Sequence, residues 1–334
     1  MSLVHKLKKN IHNGNYFARG DTVIVGTSGG PDSTALTYIL HALQYEIGFH
    51  LHIAHFNHNL HRQAYQNQKF VKILAEKLNV PCTTQIWRNS QKPKAGSLED
   101  AARQRRLQFL SHLAKRIGAR TVVLAHTKDD LAETVLMRIL RGTGLQGLRG
   151  ILPQRELNGV CFIRPMLNIS KQEILAFLKK RKIPYCSDPT NKQKKYFRNK
   201  IRIELLPLLT AHYNQNIKEL LTNLAENINT DYNFLEEQVA KIFTKIATCS
   251  SKPSKVRLDR YALNKQHPAI QRMLVRTGIE KLQGNTNRLT LNHYREIEDL
   301  LKNRPQGSLV HLPRKIDVRK DLKYLTLTQT ETNT

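Results

Sequence analysis

Hydrophobic positions in the first half of the chain fall into short apolar runs that alternate with longer segments of helical spacing, beginning with Thr22 to Val25 and then Thr34 to Gln44. The same alternation predicts strands at Phe49 to His55, Thr83 to Trp87 and Thr121 to Ala125, and helices at Gln66 to Leu78, Leu98 to Ile117 and Leu131 to Arg141. Strands separated by helices of this length are joined by crossovers, so the predicted class is α/β, a Rossmann-like parallel sheet with helices on both faces. Carboxyl ends of parallel strands share one sheet edge, which brings the segments after Val25, His55 and Ala125 together and places a site there. Beyond Pro207 the pattern changes. Apolar residues at helical spacing predict one long helix over Asn216 to Ile246, and the polar stretch Cys249 to Ser254 reads as a join. Leu309 to Leu312, Ile316 to Val318 and Leu325 to Leu327 then alternate as short strands do. The expected organisation is an N-terminal domain over 1–212, a helical linker segment over 213–248 and a smaller α+β domain over 249–334.

Charge narrows the partners. The chain carries 54 Lys+Arg against 26 Asp+Glu, a formal net charge of +28, which suits a polyanion, with nucleic acid the default. The basic residues cluster at Lys179 to Lys182 and at Lys192 to Arg202, a run that includes Lys195 and interleaves Tyr196 and Phe197. Such aromatics either stack on bases or anchor a loop. Four cysteines, Cys82, Cys161, Cys186 and Cys249, stand far apart with no Cys-x-x-Cys, which excludes a zinc ribbon or disulfide framework and fits a reducing compartment. The basic start, Met1 to Asn10, has no apolar core, and no later segment approaches a membrane span. The expectation is a cytoplasmic bacterial protein without a membrane partner, with a plastid stroma as the alternative; a homodimer is left open.

The first strand runs into Val23-Ile24-Val25-Gly26-Thr27-Ser28-Gly29-Gly30-Pro31-Asp32-Ser33. A glycine-serine turn of this kind is an oxyanion cradle, because glycines allow close backbone approach and amides at a helix start point at the ligand. A Walker loop needs a lysine after its second glycine, and Pro31 and Asp32 stand there instead. Gly26, Gly29 and Gly30 do not supply a dinucleotide fingerprint. Gly26-Thr27-Ser28-Gly29-Gly30 matches a nucleophile elbow and would make Ser28 an acyl-transfer nucleophile, but an elbow sits deep in a sheet with an oxyanion loop upstream, and this is the first strand. A strand-to-helix turn that binds nothing is the bland alternative.

Other polar clusters fall at the same predicted edge. His55-Phe56-Asn57-His58-Asn59-Leu60-His61-Arg62 offers three histidines, but no cysteine or carboxylate completes a metal set. On the third helix, Glu99, Arg103 and Arg106 share one face, which is either functional or a salt-bridged solvent face. The fourth strand ends in His126-Thr127-Lys128-Asp129-Asp130, with Glu133 following. Asp129 or Asp130 could simply cap the helix, while His126 with Asp130 forms an acid/base and metal pair. Arg141 to Gly150 makes a flexible basic loop carrying Arg141 and Arg149, suited to close over a nucleotide or merely to end the helix.

Ser28-Gly29-Gly30-Pro31-Asp32-Ser33 resembles the signature of the ATP pyrophosphatases, which cleave ATP between its α- and β-phosphates to activate a substrate as an adenylate. The resemblance implies ATP and Mg²⁺ as cofactors, with Ser28, Gly29, Gly30, Pro31, Asp32 and Ser33 around the pyrophosphate and Asp32 and Asp130 as Mg²⁺ ligands. His55, Asn57 and His58 match an element around the family's adenine pocket, although His61 stands where an arginine is usual and Arg62 follows it. Asp188-Pro189-Thr190-Asn191, then Arg198-Asn199-Lys200-Ile201-Arg202 and Leu205-Leu206-Pro207, resembles the lysidine synthetases. Their Glu-x-x-Ala-Arg element places Arg103 at the reacting centre, and their His-His-x-Asp-Asp-x-x-Glu-Thr element carries over to His126 and Asp130, with Thr127 replacing the second histidine. Implied catalytic residues are then Asp32, Arg103, His126, Asp130 and Arg198, and implied RNA contacts are Arg141, Arg149, Lys195, Arg198, Asn199 and Arg202. The end of the chain resembles the first C-terminal domain of the short members, and no room is left for the further domain of longer ones.

What the resemblance implies is a ligase. ATP would activate C2 of the wobble cytidine in the CAU anticodon of tRNA(Ile), releasing pyrophosphate. The ε-amine of free L-lysine would then displace AMP and switch codon reading from AUG to AUA. A tRNA thiolase needs a persulfide cysteine or a cluster, which the scattered cysteines disfavour. A non-catalytic RNA-binding protein with a relict nucleotide fold satisfies the charge alone.

Overall fold

The computed structural model describes residues 2–59, 63–88, 90, 92, 98–187, 197–251, 254–286 and 288–329, the side chains of Glu99 and Ser251 apart. Two compact units divide the chain, Met1–Asn229 and Thr230–Thr334.

The first unit is built on a six-stranded sheet of order β3-β2-β1-β4-β6-β5. Its strands are β1 (Thr22–Gly26), β2 (His50–Asn57), β3 (Cys82–Ile86), β4 (Thr121–Val123), β5 (Gln154–Leu157) and β6 (Val160–Ile163). β1 pairs in parallel with β2 and β4, β2 with β3, and β4 with β6. Val23, Ile24 and Val25 are fully buried, so β1 carries apolar side chains to both faces, as a central parallel strand must. One face packs on α1 (Leu3–Asn13), α2 (Pro31–Ile47), α3 (Gln63–Leu78) and α7 (Lys171–Lys180) through residues such as Leu7, Leu36, Val71 and Ile174. The other packs on α4 (Leu98–Arg116) through Phe109, Leu110 and Leu113. Helices on both faces of a mainly parallel sheet are the expected α/β class.

The edge hairpin β5–β6 is absent from the predicted elements. β5 is mostly exposed and polar, so it shows no apolar run, yet the turn carries a local signal: Asn158 and Gly159 both take positive φ, 54° and 76°. An Asn-Gly pair in that conformation is the usual two-residue hairpin turn. A second correction concerns α5 (Lys128–Leu140), expected from Leu131 with Asp129 or Asp130 as cap. Thr127 is the cap: its Oγ1 accepts from Asp130 N, and Asp130 Oδ2 accepts from Thr127 N at 2.9 Å, a reciprocal capping box. The basic segment after α5 is not irregular throughout, because α6 (Leu145–Leu148) forms within it.

Past the parallel sheet, α8 (Phe197–Lys200), a π-helical turn over Ile201–Leu205 and α9 (Leu206–His212) lie against α5. The long α10 (Ile217–Ile246) spans the unit boundary: Leu221 and Ala225 join the α5 core, and Tyr232, Val239 and Phe243 join the core of the second unit. The second unit adds β7 (Ala247–Ser251), β8 (Ser254–Asp259), α11 (Arg260–Asn264), α12 (Pro268–Gln283), α13 (Leu291–Lys302), β9 (Leu309–Leu312), β10 (Ile316–Lys320) and β11 (Tyr324–Gln329). These strands form an antiparallel sheet of order β7-β8-β11-β10-β9. In the stretch Cys249 to Ser254, expected as a join, Cys249, Ser250, Ser251 and Ser254 belong instead to the antiparallel pairing of β7 with β8, with Cys249 opposite Val256, and residues 252–253 lie outside the described residues. Gly278 lets α12 approach this sheet closely, since a Cβ there would stand 3.3 Å from Leu327 and Val256.

Gly150 ends the α6 segment at φ +63°, and a Cβ on it would meet Leu131 Cδ1 at 2.5 Å. Both the backbone conformation and the space require glycine. Gly150→Ala is expected to lower stability by roughly 2 kcal/mol, read as a lower midpoint in urea denaturation; an unchanged midpoint would mean that α5 and this turn are not packed as described.

Candidate functional site

The carboxyl ends of β1, β2 and β4 converge on one edge, as parallel strands require. At β1 the chain turns through Thr27 and Ser28 to Gly29, at φ +91°, and enters α2 with Gly30 as cap and Pro31 in the first helical turn. The two loop serines brace one another: Ser28 N donates to Ser33 Oγ at 3.1 Å, and the hydroxyls lie 3.0 Å apart. Gly29 O accepts from Thr34 Oγ1 at 3.2 Å and from Cys186 N at 2.8 Å, so the turn is fixed from both sides. Asp32 differs. Its Oδ1 is buried without a hydrogen-bond partner, and its Oδ2 stands 3.9 Å from Lys171 Nζ. Burial, partly offset by Lys171 and reinforced by Asp130, pushes the Asp32 carboxyl up to about 6.

The edge of β2 supplies His55 and Asn57, both buried. His55 Nδ1 lies 2.8 Å from Thr27 O, which makes it the donor and leaves Nε2 a buried acceptor without a partner. Asn57 braces the strand end, with Nδ2 donating to Gln68 Oε1 and Oδ1 accepting from Asn59 N, both at 2.8 Å. The His58 ring packs edge-on against Phe56, centroids 5.0 Å apart.

The edge of β4 and the start of α5 carry the densest network. Asp130 Oδ1 accepts from Arg198 Nη2 at 2.8 Å, while its Oδ2 serves the Thr127 cap. Glu133, 2 % exposed, accepts from Arg198 Nε at 2.9 Å and from Arg202 Nε at 2.5 Å and Nη2 at 2.9 Å. Asp129 turns away, accepting from Lys171 N at 2.8 Å and Lys218 Nζ at 2.7 Å. Burial opposes ionisation of Asp130, but Arg198 and the Thr127 cap hold its carboxyl below the ordinary range. His126 has a buried Nδ1 without a partner. Burial, with Arg164, Arg106 and Arg103 outweighing Asp130, takes this imidazole down to about 3, so it is neutral near pH 7.

Two further arginines belong to this cluster. Arg106, on α4, has a buried Nε without a partner, and burial together with Arg103 and Arg198 lowers its guanidinium to about 10. Arg164 follows β6, with Nη1 donating to Leu152 O at 2.9 Å and Nε likewise buried without a partner. Burial and the nearby Arg103, Arg155 and Arg106 bring it to about 10 as well. The helical spacing from Arg103 was a signal for Arg106, whereas nothing in the sequence marks Arg164 or Lys171. Arg103 itself is exposed on α4, and its charge reaches His126, Arg106, Arg138 and Arg164.

Among the candidate RNA contacts, Arg141 is exposed and stacks over Phe197, 5.1 Å from guanidinium carbon to ring centroid. Arg149 is buried, with Nε donating to Asn229 Oδ1 at 2.9 Å, and Asn199 is buried. Arg198 and Arg202 lie in the Glu133 network. Lys195, the Asp188-Pro189-Thr190-Asn191 element, Tyr196, His61 and Arg62 lie outside the described residues. Among the described residues no group of three or more His, Cys, Asp or Glu gathers as a metal cage, the four cysteines are unpaired, and no helix is long and apolar enough to cross a membrane.

A parallel sheet whose first strand enters a Ser-Gly-Gly-Pro-Asp-Ser turn defines a pyrophosphate-loop protein, and the PP-loop domain family matches residues 2–209. The fold is shared with a U34-tRNA thiolase, NcsA from Methanococcus maripaludis with its [4Fe-4S] cluster, at TM-score 0.57 and 18% identity over 67% of this chain and 76% of that one. The tRNA(Ile)-lysidine synthase of Caldanaerobacter subterraneus subsp. tengcongensis is 32% identical over 99% of this chain and 70% of its own length. That of Clostridioides difficile is 30% identical over 98% and 70%, and that of Symbiobacterium thermophilum 36% identical over 85% and 60%. The chain belongs to the tRNA(Ile)-lysidine synthases, a ligase family within the PP-loop proteins. It spans 60% of the length of the Symbiobacterium relative and 70% of the other two.

Asp32 ties this site to pH. An unfolded carboxyl titrates near 3.8 and the folded one near 6, so the folded state holds the extra proton between those values and loses stability as pH rises through that window. Above it the cost is about 1 to 2 kcal/mol, after allowance for partial exposure. Asp32→Asn is therefore expected to raise the denaturation midpoint at pH 8 and to leave it unchanged at pH 4. An equal shift at both pH values would remove the buried carboxylate as the cause.

Glu133→Gln is expected to lower stability by roughly 2 kcal/mol, because two partly exposed arginines lose the buried charge that gathers them. Chemical denaturation measures this, and a neutral result would mean that Arg198 and Arg202 find other partners.

Proposed function

We propose that this chain ligates free L-lysine to C2 of the wobble cytidine in the CAU anticodon of tRNA(Ile), consuming ATP and releasing pyrophosphate and AMP. The supporting observation is that a pyrophosphate loop and the Asp130–Arg198–Glu133–Arg202 network occupy one strand edge of a basic protein. The names of its relatives agree with that reading.

In this reading the loop between β1 and α2 receives the β- and γ-phosphates, using the hydroxyls of Ser28 and Ser33 and the amides around Gly29 and Gly30. Asp32 fits a cation, since Oδ1 is a buried oxygen with no donor, and Mg²⁺ there would neutralise phosphate charge as the α–β bond breaks. His55, Asn57 and His58 stand on the strand edge where the adenine would lie. Attack by the cytidine O2 on the α-phosphorus forms the adenylated tRNA, and the electron pair of the broken bond leaves with pyrophosphate. Arg106 and Arg164 carry charge toward the position of the α-phosphate, where a developing negative charge is best met by donors already in place. Arg141, exposed beside Phe197, and the partly exposed Arg198 and Arg202 supply the basic contacts to the RNA.

The second step needs a base, because lysine's ammonium must lose a proton before attack on C2. Asp130 has donors on both carboxylate oxygens, so it serves as an anchor, whereas Nδ1 of neutral His126 has no hydrogen-bond partner and, in the tautomer protonated on Nε2, accepts the proton. The arginines that depress His126 are the groups an anionic adenylate would neutralise, which raises its basicity when the intermediate is present.

The test is incorporation of radiolabelled lysine into a transcribed isoleucine tRNA bearing CAU, with and without ATP, against a methionine tRNA. Labelling of the isoleucine tRNA only, and only with ATP, is expected; pyrophosphate release without labelling would move the assignment to another adenylating tRNA-modifying enzyme. Changing all four cysteines to serine is expected to leave labelling intact, which a thiolase would not tolerate. His126→Gln is expected to keep pyrophosphate release and to slow lysine transfer about 10²-fold, whereas Asp130→Asn slows both. Equal loss of both steps in His126→Gln would give the proton to another group.

A further inference from the structure

The loop between β1 and α2 lacks the lysine that a Walker loop carries, because Pro31 and Asp32 occupy its place. The fold brings a lysine to the same place from another element. Lys171 opens α7, where Ser170 caps the helix and Glu173 completes a capping box, with Ser170 N donating to Glu173 Oε2 at 2.9 Å. The backbone of Lys171 is pinned independently, its N donating to Asp129 Oδ2 at 2.8 Å. Its side chain extends toward the loop and stops with Nζ 3.9 Å from Asp32 Oδ2. That separation is too long for a hydrogen bond, so the ammonium is held near the loop by charge and keeps its donors available. Its side chain is 38% exposed and that of Asp32 24%, so ligand can reach both. A pinned backbone with a solvent-reachable ammonium is the arrangement a lysine needs to serve both a carboxylate and a phosphate.

Resting on the ATP-dependent reading above, we propose that Lys171 is the polyphosphate clamp of this site, an ammonium supplied from α7 that binds the β- and γ-phosphates of ATP and stabilises pyrophosphate as it leaves. When the bond between the α-phosphorus and the bridging oxygen breaks, its electron pair stays on pyrophosphate, and Lys171 N–H groups donate to the oxygens on which that charge settles. No proton need be transferred, so the ammonium is unchanged at the end of the step. Asp32 and Lys171 then divide the task, the carboxylate facing the cation and the ammonium facing the phosphates.

The test separates the polyphosphate from the rest of the nucleotide. Inorganic pyrophosphate and AMP are each titrated as competitors of a fluorescent ATP analogue on the full chain, for the parent, Lys171→Met and Lys171→Arg. In Lys171→Met the pyrophosphate affinity is expected to fall at least tenfold and the AMP affinity less than threefold; Lys171→Arg is expected to recover most of the loss. Equal weakening of both competitors, or an unchanged pyrophosphate affinity, overturns the assignment. Thermal unfolding of the three proteins reads folding separately, and recovery by arginine keeps the result interpretable if Lys171→Met is less stable. Lysine incorporation on the same preparations reads the ligase activity by itself. Failure of incorporation with the pyrophosphate selectivity intact sinks the proposed ligation and leaves Lys171 in place.

Discussion

The site depends on one buried carboxylate. Glu133 lies on α5 within the protein, and its two oxygens collect Arg198 and Arg202 from α8 and the π-helical turn that follows. An unpaired carboxylate at that depth would cost several kcal/mol, so Glu133 and the arginines hold each other in place. The consequence is geometric. With Arg198 fixed by Glu133, its second nitrogen reaches Asp130, and Asp130 in turn closes the cap of α5 at Thr127. Helix start, strand edge and arginine segment therefore form one connected polar network, in which a change at one member reaches the others.

Around that network the balance of charge is uneven. Arg103, Arg106, Arg164, Arg198 and Arg202 crowd an edge where Asp130 and Glu133 are already engaged, and Arg106 and Arg164 are lowered to about 10. His126 is driven neutral by burial and by the same field, and Asp32 is kept from ionising freely by burial. Gathered positive charge of this kind repels itself and is neutralised by an anion, the reverse of a site built for stability alone. A nucleotide and a tRNA backbone are both anions of the kind that would relieve it.

Much of the framework was legible along the chain because its causes are local. Apolar runs separated by helical segments announce a parallel sheet, and glycines before Pro31 announce the turn into α2. Thr127 three residues before Asp130 could have announced the cap, as Asn158-Gly159 could have announced the edge hairpin; in each case a local signal was outweighed by a more conspicuous neighbour. The segment Cys249 to Ser254 misled for the opposite reason. Its polar composition suits a linker, but β7 lies at the edge of its sheet, where few side chains need be apolar.

By itself the sequence determined the α/β class, the phosphate-type turn after β1, the basic character of the protein and the residue types available for chemistry. These follow from hydrophobic period, glycine placement and composition, which act over a few residues or over the whole chain. Tertiary structure alone decided which groups remain open. Asp130 and Arg198 are 68 residues apart and become a bonded pair, Lys171 arrives beside Asp32 from a helix with no motif of its own, and Asp129 faces away from its neighbour to hold α7 and α10. The capping spacing from Thr127 marks Asp130 locally, but no local rule tells which oxygen of Asp32, Asp129 or Asp130 stays without a donor. Only the positions of distant donors determine which carboxylate oxygen is satisfied and which is left for a ligand.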